Sequence, residues 1–186
     1  MNRLKHVLTA VAVATLAARA SAQQLPDFSG TWTLTPAPAV PSTLSAPGGG
    51  VSDARFRTGD MGSGWGSPIT VVQDANRLTV SFAFFSNYDL QPPLKFVYTL
   101  DGSESRNTVM MGRGTHEQRS KAAWNGSALV ITTLQDFPHP QDGRPVTAEV
   151  RQSLSLESPG TLSVETTRVG VLGGATTTTK TVYTKR

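Results

Sequence analysis

The side chains with the clearest potential for acid–base chemistry lie between residues 135 and 145. Asp136, His139, Asp142 and Arg144 occur there among three prolines. A carboxylate beside a histidine can transfer protons in general acid–base catalysis. No nucleophile or metal-binding group accompanies them, so the pattern favours a rigid polar connection between strands. A hydrolase or isomerase that uses His139 or His116 is the alternative hypothesis.

Metal-binding residues are sparse. Beyond residue 22 the chain contains two histidines, at positions 116 and 139, and it contains no cysteine. A closed zinc site is therefore not expected. Met110, Met111 and His116 have the ligand types that copper accepts, but methionines in a strand more often fill a core. The sequence predicts no metal and no other cofactor.

One predicted strand has an unusual inward face. Residues 116–124 alternate between a charged set and a set that is polar, small or aromatic: His116, Gln118, Ser120, Ala122 and Trp124. A β-barrel with a wet ligand cavity accepts such a face on its inside. An edge strand exposed on both faces would show the same pattern, and the sequence does not separate these two interpretations.

The surrounding elements are predicted as strands, because apolar and polar residues alternate with a period of two. The alternation covers residues 77–84, 94–100, 146–156 and 161–165, and turn signals such as Asn125-Gly126, Asp101-Gly102 and Pro159-Gly160 separate the runs. Short connections predict a meander. The fold class is therefore all-β: an antiparallel meander of about ten strands in an up-and-down barrel, with a β-sandwich as the alternative.

Residues 35–67 form a different kind of segment. They are rich in proline, glycine, serine and alanine and have no sustained period. Such a composition predicts a long loop that contributes little to the core. We expect residues 23–186 to form a single barrel domain that carries this loop.

The first 22 residues resemble a cleavable secretion signal. A basic start with Arg3 and Lys5 precedes an apolar run over 7–18 and an Ala-x-Ala site at 20–22. Cleavage would leave 164 of the 186 residues, with 14 basic and 13 acidic side chains and a net charge of +1. We expect a periplasmic or extracellular protein without a membrane anchor. Since no basic stripe with interleaved aromatics occurs, we expect no nucleic-acid partner.

A family resemblance rests on the first and last predicted strands. Gly30-Thr31-Trp32 opens the meander, and a final strand ends it at residues 181–185. This arrangement resembles the calycins, which include lipocalins and intracellular fatty-acid-binding proteins. The resemblance implies that Trp32 closes one barrel end against a basic residue. In the fatty-acid-binding branch the last strand often reads Arg-x-Tyr. Tyr183 matches the tyrosine, but Thr181 stands where the arginine would be.

The run Asp27 to Trp32 is also similar to the start of secreted bacterial proteins of an uncharacterised family. That likeness implies no function. Trp32, the aromatic inward faces and the partly polar face of residues 116–124 lead us to expect an exported, non-enzymatic protein that holds a small, partly apolar ligand inside a calycin-like barrel.

Because Thr181 replaces the expected arginine, Arg151 and Arg168 are the remaining candidate cations, and Arg168 is the better one since Arg151 falls on the polar face of its strand. We therefore expect neutral or weakly polar ligands to bind at least as well as fatty acids. A structural or interaction protein with a filled barrel is the alternative, and the oligomeric state stays open. The predicted ligand-binding residues are Phe82, Phe84, Tyr98, His116, Gln118, Trp124, Arg168 and Tyr183.

Overall fold

The structure is a computed structural model, and it describes residues 25–36, 64–83, 93–111, 114–139, 141–169 and 174–186. These residues form ten strands: β1 (Gly30–Leu34), β2 (Ile69–Gln73), β3 (Arg77–Phe82), β4 (Leu94–Thr99), β5 (Glu104–Met111), β6 (Gly114–Asn125), β7 (Ala128–Pro138), β8 (Pro145–Ser158), β9 (Thr161–Val169) and β10 (Thr177–Lys185). Across the described ranges, no helix is long and apolar enough to cross a membrane.

The strands form one antiparallel sheet in the order β4-β3-β2-β1-β10-β9-β8-β7-β6-β5. Consecutive strands pair along the meander, and the first strand pairs with the last, with Trp32 opposite Lys185 and Leu34 opposite Tyr183. The sheet therefore curls into a nearly closed up-and-down barrel. The prediction of an all-β barrel is confirmed, and the β-sandwich alternative is wrong.

Alternation along each strand sets which side chains face inward. In β3, Leu78, Val80 and Phe82 are buried, whereas Arg77 is exposed. β6 lies between β5 and β7 rather than at an edge. The inward face of β6 buries Ser120 and Ala122, so the edge-strand interpretation of residues 116–124 is wrong.

The β6–β7 hairpin turns one residue later than the sequence predicts. Asn125 pairs with Ala128, so the two loop residues are Gly126 and Ser127. Gly126 has φ +61°, a left-handed conformation in which glycine carries no steric penalty. The predicted Asn-Gly turn is thus present, with its asparagine as the last residue of β6.

Side chains, not a backbone ladder, join β4 to β5, the two strands at the ends of the sheet order. The Asn107 carboxamide accepts a hydrogen bond from the Val97 N–H at 2.7 Å and donates one to the Val97 carbonyl at 3.1 Å. Ser105 Oγ accepts from the Thr99 N–H at 2.8 Å. The amide group of Asn107 thereby takes the place of a peptide unit, and we call this contact the β4–β5 seam.

The chain before β1 closes one end of the barrel, which we call the Phe28 end. Phe28 is fully buried and stacks on Trp124 with ring centroids 5.8 Å apart. Its N–H donates to Gln73 Oε1, and its carbonyl accepts from Trp32 Nε1 at 2.9 Å. These backbone bonds fix the Phe28 ring as a plug beneath the inward-facing side chains.

Packing at this end of the barrel explains why a glycine precedes Trp32 by two residues. Lys185 Nζ lies over the Trp32 ring, 5.2 Å from its centroid, a distance at which a cation and an aromatic face attract. Gly30 has φ +142°, and a Cβ there would lie 2.6 Å from Lys185 Cε. Glycine at position 30 therefore lets the lysine reach the indole, as the calycin resemblance implies for a basic residue.

The end of the Pro/Gly-rich segment packs on the barrel, contrary to the expectation for 35–67 as a whole. Trp65 packs against the core, and Ser67 Oγ accepts from the Leu34 N–H at 2.8 Å. The packing follows from the aromatic ring, which buries apolar surface that the composition of the segment conceals. Residues 37–63 lie outside the described residues.

We expect Asn107→Ala to destabilise the barrel by about 1–3 kcal/mol, because it leaves the partly buried Val97 N–H and C=O without partners. Urea denaturation of the two proteins measures the difference. The neighbouring Thr108→Ala variant is the control, since Thr108 is exposed on the outer face and its loss should change stability by less than about 0.5 kcal/mol. Equal midpoints for the two variants would contradict a stabilising seam.

Candidate functional site

A layer of polar side chains lies inside the barrel on the side formed by β5 to β10. Its members are buried, and their strand positions face inward: Asn107, Ser120, Thr133, Gln152, Thr166, Arg168 and Thr181. We call these seven residues the polar layer. Buried polar groups cost stability unless they are hydrogen-bonded, so a barrel that required only a core would place aliphatic residues here.

Neighbouring strands change from apolar to polar residues on their inward faces, but not at one register level: Gln152 lies opposite Ile131, and Thr133 lies opposite Val150. At the Phe28 end, Leu154 of β8 lies opposite Val164 of β9, and both are fully buried. Two residues further along each strand, Gln152 lies opposite Thr166. On β6 and β7 the same change leads to the Ser120–Thr133 pair, whose hydroxyls bond at 2.9 Å.

Arg168 carries the formal charge of the layer. It lies two residues after Thr166 on β9, opposite Val150 on one side and Thr177 on the other. Only 8% of Arg168 is exposed. The inward position predicted for Arg168 is therefore confirmed, and Arg151, predicted to face outward, is exposed.

The Thr166 hydroxyl is the least satisfied group of the layer. The residue is fully buried, and its Oγ1 has no hydrogen-bond partner in the structure. The two residues directly opposite, Gln152 and Thr179, both have interactions of their own. The hydroxyl can both donate and accept a hydrogen bond, and the side chains packed around it exclude water from it.

Aromatic side chains occupy the facing wall. Phe82 of β3 and Phe96 of β4 are buried and stack with ring centroids 5.9 Å apart. In the sheet order, β4 is five strands from β9 and β3 is five strands from β8, which is half of a ten-strand ring. The interior is thus divided between an aromatic wall and the polar layer.

Two tyrosines connect this wall to the residues before β2. Tyr183 is fully buried, and its hydroxyl donates to the carbonyls of Trp65 and Gly66, both at 3.4 Å. Burial raises the pKa of Tyr98 well above its ordinary value, and a hydrogen bond with Trp65 offsets a small part of that rise. Tyr98 therefore remains neutral in the folded barrel through the alkaline range.

The structure brings most of the predicted site residues to inward positions. Phe82, Tyr98, Arg168 and Tyr183 are buried there, and Gln118 is half-buried opposite Asn107 and Gln135.

Three predicted site residues stand apart. Trp124 also faces inward, but it lies at the Phe28 end against Phe28, away from the polar layer. Phe84 lies outside the described residues. The backbone of His116 pairs with Val109, and its side chain is not among those described.

The predicted site residues did not include Phe96 of the aromatic wall or six members of the polar layer: Asn107, Ser120, Thr133, Gln152, Thr166 and Thr181. Their alternation placed each of them on an inward face. The missing signal was pairing register, which brings Gln152 and Thr166 together from separate strands.

The polar loop between β7 and β8 is held together by ion pairs at the surface. His139 Nδ1 lies 3.1 Å from Asp142 Oδ1, and Asp142 also binds Arg144 Nε at 2.6 Å. At the strand ends, hydrogen bonds from Thr147 and then the nearby Arg119 hold the pKa of Asp136 below its ordinary value. These contacts lie at the surface and link the two strands across the turn, which is the structural role the sequence favours.

A shallow pocket of about 320 Å³ lies outside the barrel at the Phe28 end. It is lined by Leu25, Asp27, Gln73, Asp74, Ala75, Leu100 and Trp124. Hydrogen bonds from the Ser29 side chain and backbone hold the pKa of Asp27 below its ordinary value. Gln73 is occupied by Phe28 N–H and the Pro26 carbonyl. The pocket offers shape, but Asp27 and Gln73 already have hydrogen-bond partners within the protein.

Among the residues that the structure describes, no three histidine, cysteine, aspartate or glutamate side chains lie together in a way that could hold a metal ion.

The chain matches no protein-family model, no curated protein and no solved structure. The sheet itself is compatible with a calycin-like fold, since its ten antiparallel strands run up and down around a nearly closed barrel.

The raised pKa of Tyr98 predicts that the folded protein loses stability at alkaline pH. Its pKa is raised in the folded protein, whereas in the unfolded chain it is about 10. The contribution of the neutral hydroxyl is therefore fully present below about pH 10, and it is lost as pH rises towards the folded-state pKa. We expect wild type to lose up to about 1.4 kcal/mol more per pH unit than Tyr98→Phe above pH 10.

Urea denaturation from about pH 9 to 11.5 gives the free energy of unfolding of both proteins. The difference between them removes the contribution of lysines that titrate in both. Parallel stability curves would show that Tyr98 ionises equally easily in both states.

Proposed function

We propose that this protein is an exported, non-enzymatic binding protein that holds a small, partly apolar ligand inside its β-barrel. One observation supports the proposal above all: the buried polar layer faces an aromatic wall within the same interior. Ligand pockets characteristically combine mostly apolar lining with a few polar groups that orient the ligand.

The composition of β8 and β9 supports a ligand better than a uniform core does. Leu154 and Val164 show that these strands pack well with aliphatic pairs at the Phe28 end. Gln152, Thr166 and Arg168 then occupy the next inward positions. A ligand that hydrogen-bonds to these groups would recover the free energy that their burial costs.

The proposal places the protein near the lipocalins and fatty-acid-binding proteins in architecture. The Lys185–Trp32 contact and the β1–β10 pairing support that likeness. The last strand has Thr181 where the fatty-acid-binding branch often has arginine, and Arg168 is on a different strand. We therefore expect neutral ligands to bind at least as well as fatty acids.

The competing candidate is a structural or protein-interaction role with a filled barrel. The apolar cluster favours it, because this cluster runs continuously from Phe28 and Trp32 through Phe82 and Phe96 to Tyr183. The two candidates differ in one measurable property: only the first gives saturable binding of a small apolar molecule.

We expect the neutral probe N-phenylnaphthylamine to bind saturably, with one site per chain, and dodecanol to displace it at least as well as dodecanoate. Fluorescence titration of wild type, Arg168→Met and the exposed control Arg151→Met tests this. Arg168→Met should weaken dodecanoate more than dodecanol, while Arg151→Met should leave both unchanged. Absence of probe binding in wild type would favour the filled barrel. Strong preference for dodecanoate, abolished in Arg168→Met, would identify a carboxylate site instead.

Export predicts a defined mature terminus. Cleavage after the Ala-x-Ala site should leave Gln23 as the first residue, five residues before the Phe28 plug. Intact-mass analysis of protein recovered outside the cytoplasm of an expressing bacterium tests this. An unprocessed chain that stays in the cytoplasm would contradict export, and it would leave the barrel-binding proposal to the titration above.

A further inference from the structure

We propose that the pocket at the Phe28 end binds a small organic cation: an ammonium group that carries a short apolar chain or ring. The inference goes beyond the proposed function, because this pocket lies outside the barrel and does not depend on what the interior holds. The ammonium group would meet Asp27 and Asp74, and the apolar part would lie against Leu100 and Trp124.

The first support is the space itself. The pocket has a volume of about 320 Å³, at the lower end of the range of about 300–1,000 Å³ that is typical of small-molecule sites. Four parts of the chain line it: the residues before β1, the β2–β3 turn, the residue after β4 and the end of β6. This size suits a molecule of one ring and a short chain.

Hydrogen bonds within the protein hold the walls of the pocket in place. The Gln73 carboxamide accepts from the Phe28 N–H at 3.0 Å and donates to the Pro26 carbonyl at 2.9 Å, which fastens the chain before β1 to β2. The Leu100 N–H donates to the Asn76 carbonyl at 2.9 Å, which joins the end of β4 to the β2–β3 turn. A ligand that meets walls already in place loses less binding free energy to ordering them.

The second support is apolar surface that a ligand would cover. Leu25 lines the pocket and is 46% exposed, unlike most large apolar side chains of the described residues. Trp124 is half-buried, and it lines the pocket while it stacks on Phe28. Removal of such surface from water favours binding. Trp124, which the sequence predicts as a ligand-binding residue, thus contacts this outer pocket.

The third support is the charge of the lining. Its two titratable residues are Asp27 and Asp74, and none of the described lining residues is basic. Hydrogen bonds from the Ser29 side chain and backbone hold the pKa of Asp27 below its ordinary value, so Asp27 is negative at neutral pH. Lys185 acts on Asp27 more weakly than Ser29 does, and its Nζ lies over the Trp32 ring. The pocket therefore favours a positively charged ligand.

The two carboxylates keep acceptor capacity for a ligand. Asp27 Oδ1 accepts from the Ser29 N–H and Asp74 Oδ1 accepts from the Asn76 N–H, each at 2.8 Å. An ionised carboxylate has about four lone-pair positions, and an ammonium group has three donors. A ligand N–H can therefore bond to these carboxylates without breaking the bonds that shape the turns.

An organic ammonium group suits the pocket better than a metal ion does. Among the described residues, no three acidic, histidine or cysteine side chains lie together as metal ligands, whereas Ca²⁺ takes about six to eight oxygen ligands. An ammonium group needs fewer acceptors, and an indole such as Trp124 also attracts it. The aliphatic side chains Leu25 and Leu100 would then contact the carbon skeleton of the ligand.

The test uses three probes that share a phenethyl group: phenethylamine, which is a cation at neutral pH, phenethyl alcohol and 3-phenylpropanoate. NMR titration of ¹⁵N-labelled protein follows the backbone N–H signals of Ala75 and Leu100 and the indole N–H of Trp124. We expect the phenethylammonium ion to bind at one site, about fivefold more tightly than the alcohol, because its hydrogen bonds to carboxylates are charge-assisted. The carboxylate probe should bind more weakly than the alcohol.

The decisive variants remove charge and leave shape unchanged. Asp27→Asn and Asp74→Asn retain a side-chain oxygen for the turn N–H, and each should weaken phenethylammonium about three- to fivefold while the alcohol changes less than about twofold. The control is Asp101→Asn at the same end of the barrel. Asp101 accepts from the Ser103 N–H at 2.9 Å in the same way but does not line the pocket. Its replacement should change neither affinity by more than about twofold, because salt screens exposed charges. Urea midpoints verify folding of all three variants.

Each other outcome overturns the inference. Equal affinities for the three probes, or no shift of the pocket signals, would show that the pocket selects no cation. An equal loss in Asp101→Asn would show general attraction of cations to this end of the barrel. Displacement of phenethylammonium by an equal concentration of Ca²⁺ would indicate a metal site. Shifts confined to Phe82 and Phe96 would place the probe inside the barrel, where the N-phenylnaphthylamine titration tests the proposed function separately.

Discussion

The barrel depends on the hydrogen bonds between the Asn107 carboxamide and the Val97 peptide. Nine strand pairs are held by backbone ladders, and the β4–β5 seam is held by side chains instead. An amide side chain offers one acceptor and one donor in the same spacing as a peptide unit, so it satisfies a strand edge that would otherwise stay open. Closure has a consequence for every inward residue. Once the sheet meets itself, inward side chains lose contact with water and must be packed, hydrogen-bonded or matched by a ligand.

The two ends of the barrel meet this requirement differently. At the Phe28 end, the plug residue brings its own backbone bonds to Gln73 and Trp32, and the interior is aliphatic and aromatic. The strands also differ in length around the barrel: β1 to β4 have five or six residues each, whereas β6 and β8 have 12 and 14. The longer strands carry the polar layer. The side of the barrel with the greater strand length is therefore also the side that could contact the polar part of a ligand.

Much of this architecture could be predicted from the sequence, because a period of two fixes which face each residue occupies. It correctly placed Phe82, Tyr98 and Arg168 inside. The period does not fix depth, and so Trp124 was grouped with Gln118 although it packs on Phe28 at the closed end. Nor could it show the seam: Asp101-Gly102 predicts a hairpin with a backbone ladder, and only the relative shift of β4 and β5 puts a carboxamide opposite Val97. Phe28 was missed because it precedes the first strand and belongs to no alternating run.

Register also decides how the chain departs from the fatty-acid-binding pattern. Thr181 of β10 lies opposite Val164, and Arg168 lies opposite Thr177. The buried cation is therefore displaced by four residues from the position of the expected arginine, about 13 Å along the strand at about 3.3 Å per residue. A ligand placed by Tyr183 and position 181 would leave Arg168 beyond its polar end. Thr166, opposite Thr179, lies between these two levels. Arg168 therefore does not occupy the level that an arginine at position 181 would have, and Thr166 is two residues nearer to that level on β9.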